Sequence, residues 1–215
     1  MGFLSPYHHH FAKGCADAGY DERIFWEDWV KHARTARIIY DAGGYSGLYG
    51  LLAAATNPNA KVYIFEVEPE ALKHIELNIK LNSLSNIIII ESALWDEDGT
   101  VLFNGIVGGT AGRIDDHGYT VNSISFNTIC GRVGAPDLMK LDIEGAEYRV
   151  IKSMKVNPKM LVEVHLKLLV DGTKQDLLDE LKSRKYELML VGQWGHRYHK
   201  KNDPFREHYW CIPSG

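Results

Sequence analysis

A chain of 215 residues with 45% hydrophobic and 24% charged side chains suits one sizeable domain with at most a short extension, and excludes disorder and fibrous repeats. Its formal charge of −4 offers no global attraction to nucleic acid or to an anionic membrane, so neither is expected as a partner. Cys15, Cys130 and Cys211 lie far apart without metal-ligand spacing and read as free thiols. With no apolar run of the ~18 residues a membrane helix needs, and no signal peptide in residues 1–10, a cytoplasmic protein is expected.

Residues 1–36 precede the first strand. Ile24, Phe25, Trp29 and Val30 are spaced to pack a helix there, against the domain or over its site. The tract His8-His9-His10 reads as surface. Arg37–Tyr40 is the first apolar run, ending at Asp41; a Gly-rich turn follows, and Leu48–Ala55 reads as a helix. Lys61–Phe65, β-branched and aromatic, predicts a second strand ending at Glu66. Pro69 suits the first turn of a helix whose apolar stripe runs through Leu72, Ile75 and Ile79.

Asn86–Ile90, with four successive isoleucines, reads as a strand buried on both faces. Asp98-Gly99 signals a turn and Thr100–Phe103 a short strand. The stretch Asn104–Gly118, rich in Gly and Asp, reads as one long functional loop. Asp137–Leu141 is the fourth main strand, followed by a helix with Val150, Ile151 and Met154 inward. Met160–Val164 is the fifth strand, a helix bearing Leu177, Leu178 and Leu181 comes next, and Tyr186–Val191 is the sixth. Trp194–His199 reads as an exposed loop before a last strand at Tyr209–Ile212.

This alternation predicts an α/β domain: a seven-stranded, mostly parallel sheet with helices on both faces. The last two strands lack a helix between them and predict a C-terminal antiparallel hairpin, the pattern that separates methyltransferase-like Rossmann sheets from dehydrogenase ones. The expected division is an N-terminal helical extension over 1–36 and the main domain over 37–215.

The segment Asp41-Ala42-Gly43-Gly44-Tyr45-Ser46-Gly47 joins a strand to a helix. Glycines there let the backbone turn tightly and approach a ligand, and the helix start offers free N–H groups. Asp41 at the strand tip would repel a pyrophosphate but accept hydrogen bonds from an ammonium group, which favours S-adenosylmethionine (SAM) over a dinucleotide. Gly43, Gly44 and Gly47 are the expected cofactor cradle. Glu66, at the tip of the second strand, is placed to take both ribose hydroxyls. Ser92 and Ala93 follow the third strand, where the adenine edge would lie.

Together with Lys140-Leu141-Asp142-Ile143-Glu144-Gly145-Ala146-Glu147 and Phe65-Glu66-Val67-Glu68-Pro69-Glu70, the Asp41 segment resembles the FkbM family of SAM-dependent methyltransferases. Asn78 and Asn82 match that family's N-x-x-x-N. Gly44 stands where the family has Ala, and Val67 where it has Pro, leaving Glu66 in register. The resemblance runs from about Ile38 to His165. It implies the class I methyltransferase fold, SAM as methyl donor, and O-methylation of a sugar, glycan or small natural product.

A hydroxyl acceptor must lose its proton as the new bond forms. Asp142, at the tip of the fourth strand, is the first candidate for base or metal ligand, and Glu144 shares its face. A divalent cation between them is the lesser expectation. Glu147 reads as a helix N-terminal acid. His165, near the end of the fifth strand, is a second candidate base, and Lys140 needs an acidic partner such as Glu163. The rival functions are an RNA or protein methyltransferase on the same fold, an NAD-dependent oxidoreductase, and a relative that binds cofactor without catalysis.

Overall fold

A computed structural model of the protein describes residues 23–105, 112–165, 169–194 and 206–214. Cys15, the tract at 8–10 and the segment 195–199 lie outside these residues. Among the described residues, no helix is long and apolar enough to cross a membrane.

A helix, α1 (Arg23–Ala33), leads into β1 (Ile38–Ala42), α2 (Leu48–Thr56), β2 (Lys61–Phe65), α3 (Pro69–Leu81) and β3 (Ile87–Ile90). Four short strands follow: β4 (Ala93–Trp95), β5 (Gly99–Asn104), β6 (Arg113–Ile114) and β7 (Tyr119–Ser125). The chain continues through α4 (Phe126–Val133), β8 (Leu138–Leu141), α5 (Glu147–Ser153), β9 (Lys159–His165) and α6 (Lys174–Ser183). It ends on β10 (Tyr186–Trp194) and β11 (Arg206–Pro213).

The main sheet has seven strands in the order β10-β11-β9-β8-β1-β2-β3. The pairs β1–β2, β2–β3, β1–β8 and β8–β9 are parallel, whereas β11 runs antiparallel to both β9 and β10. The predicted architecture, C-terminal hairpin included, is therefore the observed one. Adjacent residues of a strand serve opposite faces. Tyr40 packs with Phe65, Phe126, Met139 and Leu177 beneath α4–α6; Ile39 packs with Trp29, Ile64 and Ile75 beneath α1–α3. In register, Ala42 lies level with Phe65 and Leu141, so the loops after β1, β2 and β8 emerge side by side. Between β1 and β8 the chain reverses its winding direction, the place where open α/β sheets bind ligands.

Two expectations need correction. Among the described residues the isoleucine strand β3 pairs only with β2, an edge position, and Ile88 is 40% exposed rather than buried on both faces. The stretch Asn104–Gly118 is not one loop: β6 lies within it and pairs antiparallel with β5, Ile114 opposite Phe103. A second sheet in the order β4-β7-β5-β6 thus forms between β3 and β8. Three further elements, β4, β7 and α4, stand where the sequence pattern predicts none. Ser125 caps α4 by accepting a hydrogen bond from Thr128 N–H, a short-range signal in the sequence.

Helix α1 is fastened by Trp29, fully buried, whose Nε1–H donates to Tyr49 O at 2.9 Å. Phe25 stacks on the His208 ring of β11 at 4.4 Å.

Candidate active site

The turn after β1 is shaped by close approach. Gly43 has φ 77°, and a Cβ there would sit 1.7 Å from Asp142 O, so only glycine lets the turns after β1 and β8 meet. Gly43 and Gly44 both donate N–H to Phe65 O at 3.1 Å. A Cβ on Gly44 would strike the Ile64 side chain at 2.3 Å, and Gly47, φ 78°, abuts Ile75. Gly44 and Gly47 therefore pack the turn onto β2 and α3, and of the three glycines Gly43 lines the cleft. The buried Asn78 braces the turn from α3, its Nδ2 donating to Ser46 O at 2.9 Å, while Asn82 caps that helix on Asn78 O.

Asp41 is not where the sequence reading put it. β1 extends one residue beyond it, to Ala42, which leaves the side chain 1% exposed and outside the cleft lining. Its Oδ2 accepts from Gly50 N–H at 2.7 Å, which takes up one of the helix-start donors expected to face a ligand. Burial pushes its carboxyl up to about 6, against the pull of Lys140 and the Gly50 bond. Oδ1 has no hydrogen-bond partner among the described residues.

Glu66, one residue past β2, does line the cleft. Oε1 accepts from Val67 and Glu68 N–H at 2.7 and 2.9 Å, and Oε2 from Tyr45 N–H at 2.7 Å. Burial raises its pKa while these three N–H groups pull it back. A carboxylate has about four acceptor sites, so about one is left, enough for one ribose hydroxyl rather than the bidentate grip expected. Ser92 and Ala93 line the same cleft, and Phe103, Arg113 and Ile114 of the second sheet wall it.

The floor is acidic and largely buried. Lys140, 7% exposed, donates from Nζ to Asp142 Oδ2 at 2.8 Å and lies 5.0 Å over the Tyr49 ring. Its partner is thus Asp142 rather than Glu163. Burial first, then repulsion from Glu163, pushes Asp142 up to about 7 despite Lys140 and His165. Asp142, Glu144 and Glu163 line the cleft.

His165, 1% exposed, sits in a cage of carboxylates. Nδ1 lies 3.1 Å from Glu147 Oε1; Nε2 lies 3.0 Å from Glu144 Oε2, 3.5 Å from Glu163 Oε1 and 3.7 Å from Asp142 Oδ1. Burial disfavours its charge, but Glu144 and Glu147 more than reverse this and carry its pKa to about 11. Both ring nitrogens face carboxylates, so His165 would have to give up a proton to them before it could accept one from a hydroxyl.

Glu147, fully buried, also accepts from Ile143 and Gly145 N–H at 3.0 and 3.2 Å, so it orders the turn after β8 as well as the histidine. The sequence reading took it only as a helix-end charge. His208, which it also missed, holds Glu163 Oε2 through Nε2 at 3.0 Å. The one available signal is the i, i+2 alternation of Lys140 with Asp142 and of Glu163 with His165, which puts each pair on one strand face.

An acidic floor, one acid at the second strand tip and an apolar wall of Leu94, Phe103 and Ile114 fit a cofactor bearing a sulfonium, a ribose and an adenine. Fold and site together define a Rossmann-like class I methyltransferase. Solved structures share the fold. The precorrin-6y C5,15-methyltransferase of Geobacter metallireducens aligns at 14% identity and TM-score 0.53, covering 88% of this chain and 87% of that one. The O-methyltransferase TomG of Streptomyces achromogenes, in complex with SAM, aligns at 8% identity and TM-score 0.55, covering 98% and 91%. The N-terminal domain of EvdMO1, in the presence of S-adenosylhomocysteine (SAH) and D-fucose, aligns at 10% identity and TM-score 0.55, covering 88% and 81%. No curated protein matches the sequence. The profile of the methyltransferase FkbM domain, however, matches residues 41–188, and the chain belongs to that family of SAM-dependent methyltransferases.

Proposed function

We propose that the protein transfers the methyl group of SAM to a hydroxyl of a small acceptor, a sugar, glycan or natural product. The observation that carries this reading is the sharing of one cleft by Glu66, Ser92 and the carboxylates Asp142 and Glu144. Glu66 would hold a ribose hydroxyl, while Ser92, Ala93 and Phe103 would enclose the adenine. The tail of the cofactor would lie over Gly43. Asp41 supports this site from behind, through Gly50, instead of gripping the amine.

Methyl transfer is an in-line displacement, so the acceptor oxygen must be held opposite the sulfur. Asp142 and Glu144 are placed to hold it, and its proton passes to the carboxylates of the floor. Their negative charge also favours the sulfonium over a phosphate-bearing cofactor. TomG is named an O-methyltransferase and EvdMO1 was solved with a sugar present, which agrees with a hydroxylated acceptor. The free thiols of Cys130 and Cys211 agree with a reducing, cytoplasmic location, and we keep 1–36 and 37–215 as the proposed domain division.

The test joins calorimetric titration of SAH to turnover on hydroxylated acceptors. Asp142→Asn is expected to keep SAH affinity within a few fold and to lower turnover about 10²–10⁴-fold, the range of acid–base catalysis. Full turnover in that variant removes Asp142 from the chemistry. Methylation of RNA or protein alone, with no small acceptor used, overturns the proposed substrate class.

A further inference from the structure

We propose that Asp142, Glu144 and His165 form a binding site for a divalent cation in the floor of the cleft. Their ligand atoms all lie within 4.8 Å of one another, on side chains that are buried or half-buried. His165 Nε2 stands 3.0 Å from Glu144 Oε2 and 3.7 Å from Asp142 Oδ1. Neighbouring ligands on an octahedral ion with bonds of ~2.1 Å stand ~3.0 Å apart, so little movement would be needed to close the set around an ion.

A separate observation points to a ligand rather than to a mere cluster of acids. The buried Oδ1 of Asp142 makes no hydrogen bond among the described residues, and His165, 1% exposed, turns Nε2 to the carboxylates of the cleft floor and to no neutral acceptor among those residues. Lys140 occupies the other oxygen of Asp142, which leaves Oδ1 directed at Nε2. Glu147 holds Nδ1 at 3.1 Å, the carboxylate–imidazole arrangement that orients a metal-binding histidine and fixes its Nε2 as the ligand atom. The backbone of Glu144 is in the left-handed region, φ 52°, which a glutamate adopts only where its surroundings hold it.

Charge agrees. The carboxylates of Asp142, Glu144, Glu147 and Glu163 converge on His165, and an ion there would bring two positive charges to them. Two carboxylates and one imidazole, with a third carboxylate at Glu163, suit Mn²⁺ better than an all-oxygen Mg²⁺ site or a sulfur-rich Zn²⁺ site.

Three protein ligands would leave positions open towards the cleft. An acceptor hydroxyl there would be oriented and acidified, its proton passing to Glu163 as the methyl moves from sulfur to oxygen and the sulfonium becomes a thioether. This role rests on the methyl-transfer reading; cation binding itself does not.

The test is titration of the full chain with Mn²⁺ alone, free ion being followed by electron paramagnetic resonance, with SAH titrated separately by calorimetry. One ion per chain is expected. Glu144→Gln and Asp142→Asn should each weaken it at least tenfold with the fold intact by circular dichroism. Asp116→Asn, in the exposed Asp115–Asp116–His117 group, should leave it unchanged. No binding at millimolar Mn²⁺, undiminished binding in both cleft variants, or loss in Asp116→Asn overturns the site. SAH binding without Mn²⁺ binding rejects this inference alone; Mn²⁺ binding without SAH binding rejects the methyl-transfer reading and leaves the cation site standing.

Discussion

At the scale of single residues, two acids that stand two positions apart in register have opposite fates. Glu66 falls just past β2 and reaches the cleft; Asp41 falls just short of the end of β1 and is sealed. Glu66→Ala should weaken SAH binding by about 1.5–3 kcal/mol, the range for hydrogen bonds to a charged group. Glu66→Gln, which keeps an acceptor oxygen for the turn, should lose less. Unaltered calorimetric affinity in the alanine variant would sink the ribose assignment.

Asp41 makes a prediction of unusual sign. Its folded pKa, about 6, lies above the unfolded value of 3.8, so between those values the native state holds the extra proton. Stability from this group is therefore greatest below pH 4 and falls as pH rises towards 6, by at most ~3 kcal/mol. Asp41→Asn keeps an acceptor for Gly50 and removes the titration. Urea melts from pH 4 to 7 should show the variant gaining on the natural protein as pH rises. A difference independent of pH would show that burial of Asp41 carries no such cost.

At the scale of elements, the strands and helices of the main sheet were legible because each signals locally: β-branched runs closed by an acid, apolar stripes at helical spacing, Pro69 at a helix start. The isoleucines of β3 misled because a run of apolar residues reports composition, not the number of neighbouring strands. Short β6 and β7 carry mixed polar sequence that acquires its meaning only by pairing with β5. Helix α1 was legible as amphipathic, and Trp29 is the largest of the buried side chains, with Phe25 and Ala33, that attach it. Trp29→Ala should destabilise the protein by about 3–5 kcal/mol, as for large buried aromatics, and chemical denaturation would measure it. A loss under 1 kcal/mol would mean that α1 contributes little to the fold.

At the scale of the whole molecule, the candidate site depends on register that no local pattern reveals. Leu141 pairs with Val162, so the next residues along, Asp142 and Glu163, emerge from neighbouring strands together. Glu163 pairs across the sheet with His208 of the antiparallel β11, from the far end of the chain. Asp142 and Glu66 could be named in advance because they follow strand ends in recognisable motifs. The cage around His165 could not, because its members meet only when β8, β9 and the turn between β8 and α5 are assembled. An imidazole read in isolation as a proton acceptor has, in the fold, carboxylates at both of its ring nitrogens.

The second sheet occupies a single stretch of chain between β3 and β8, and it supplies one wall of the cleft without contributing a strand to the principal sheet. A change at Ile114, or a longer hairpin carrying it, would therefore reshape that wall while the loops after β1, β2 and β8 stay as they are.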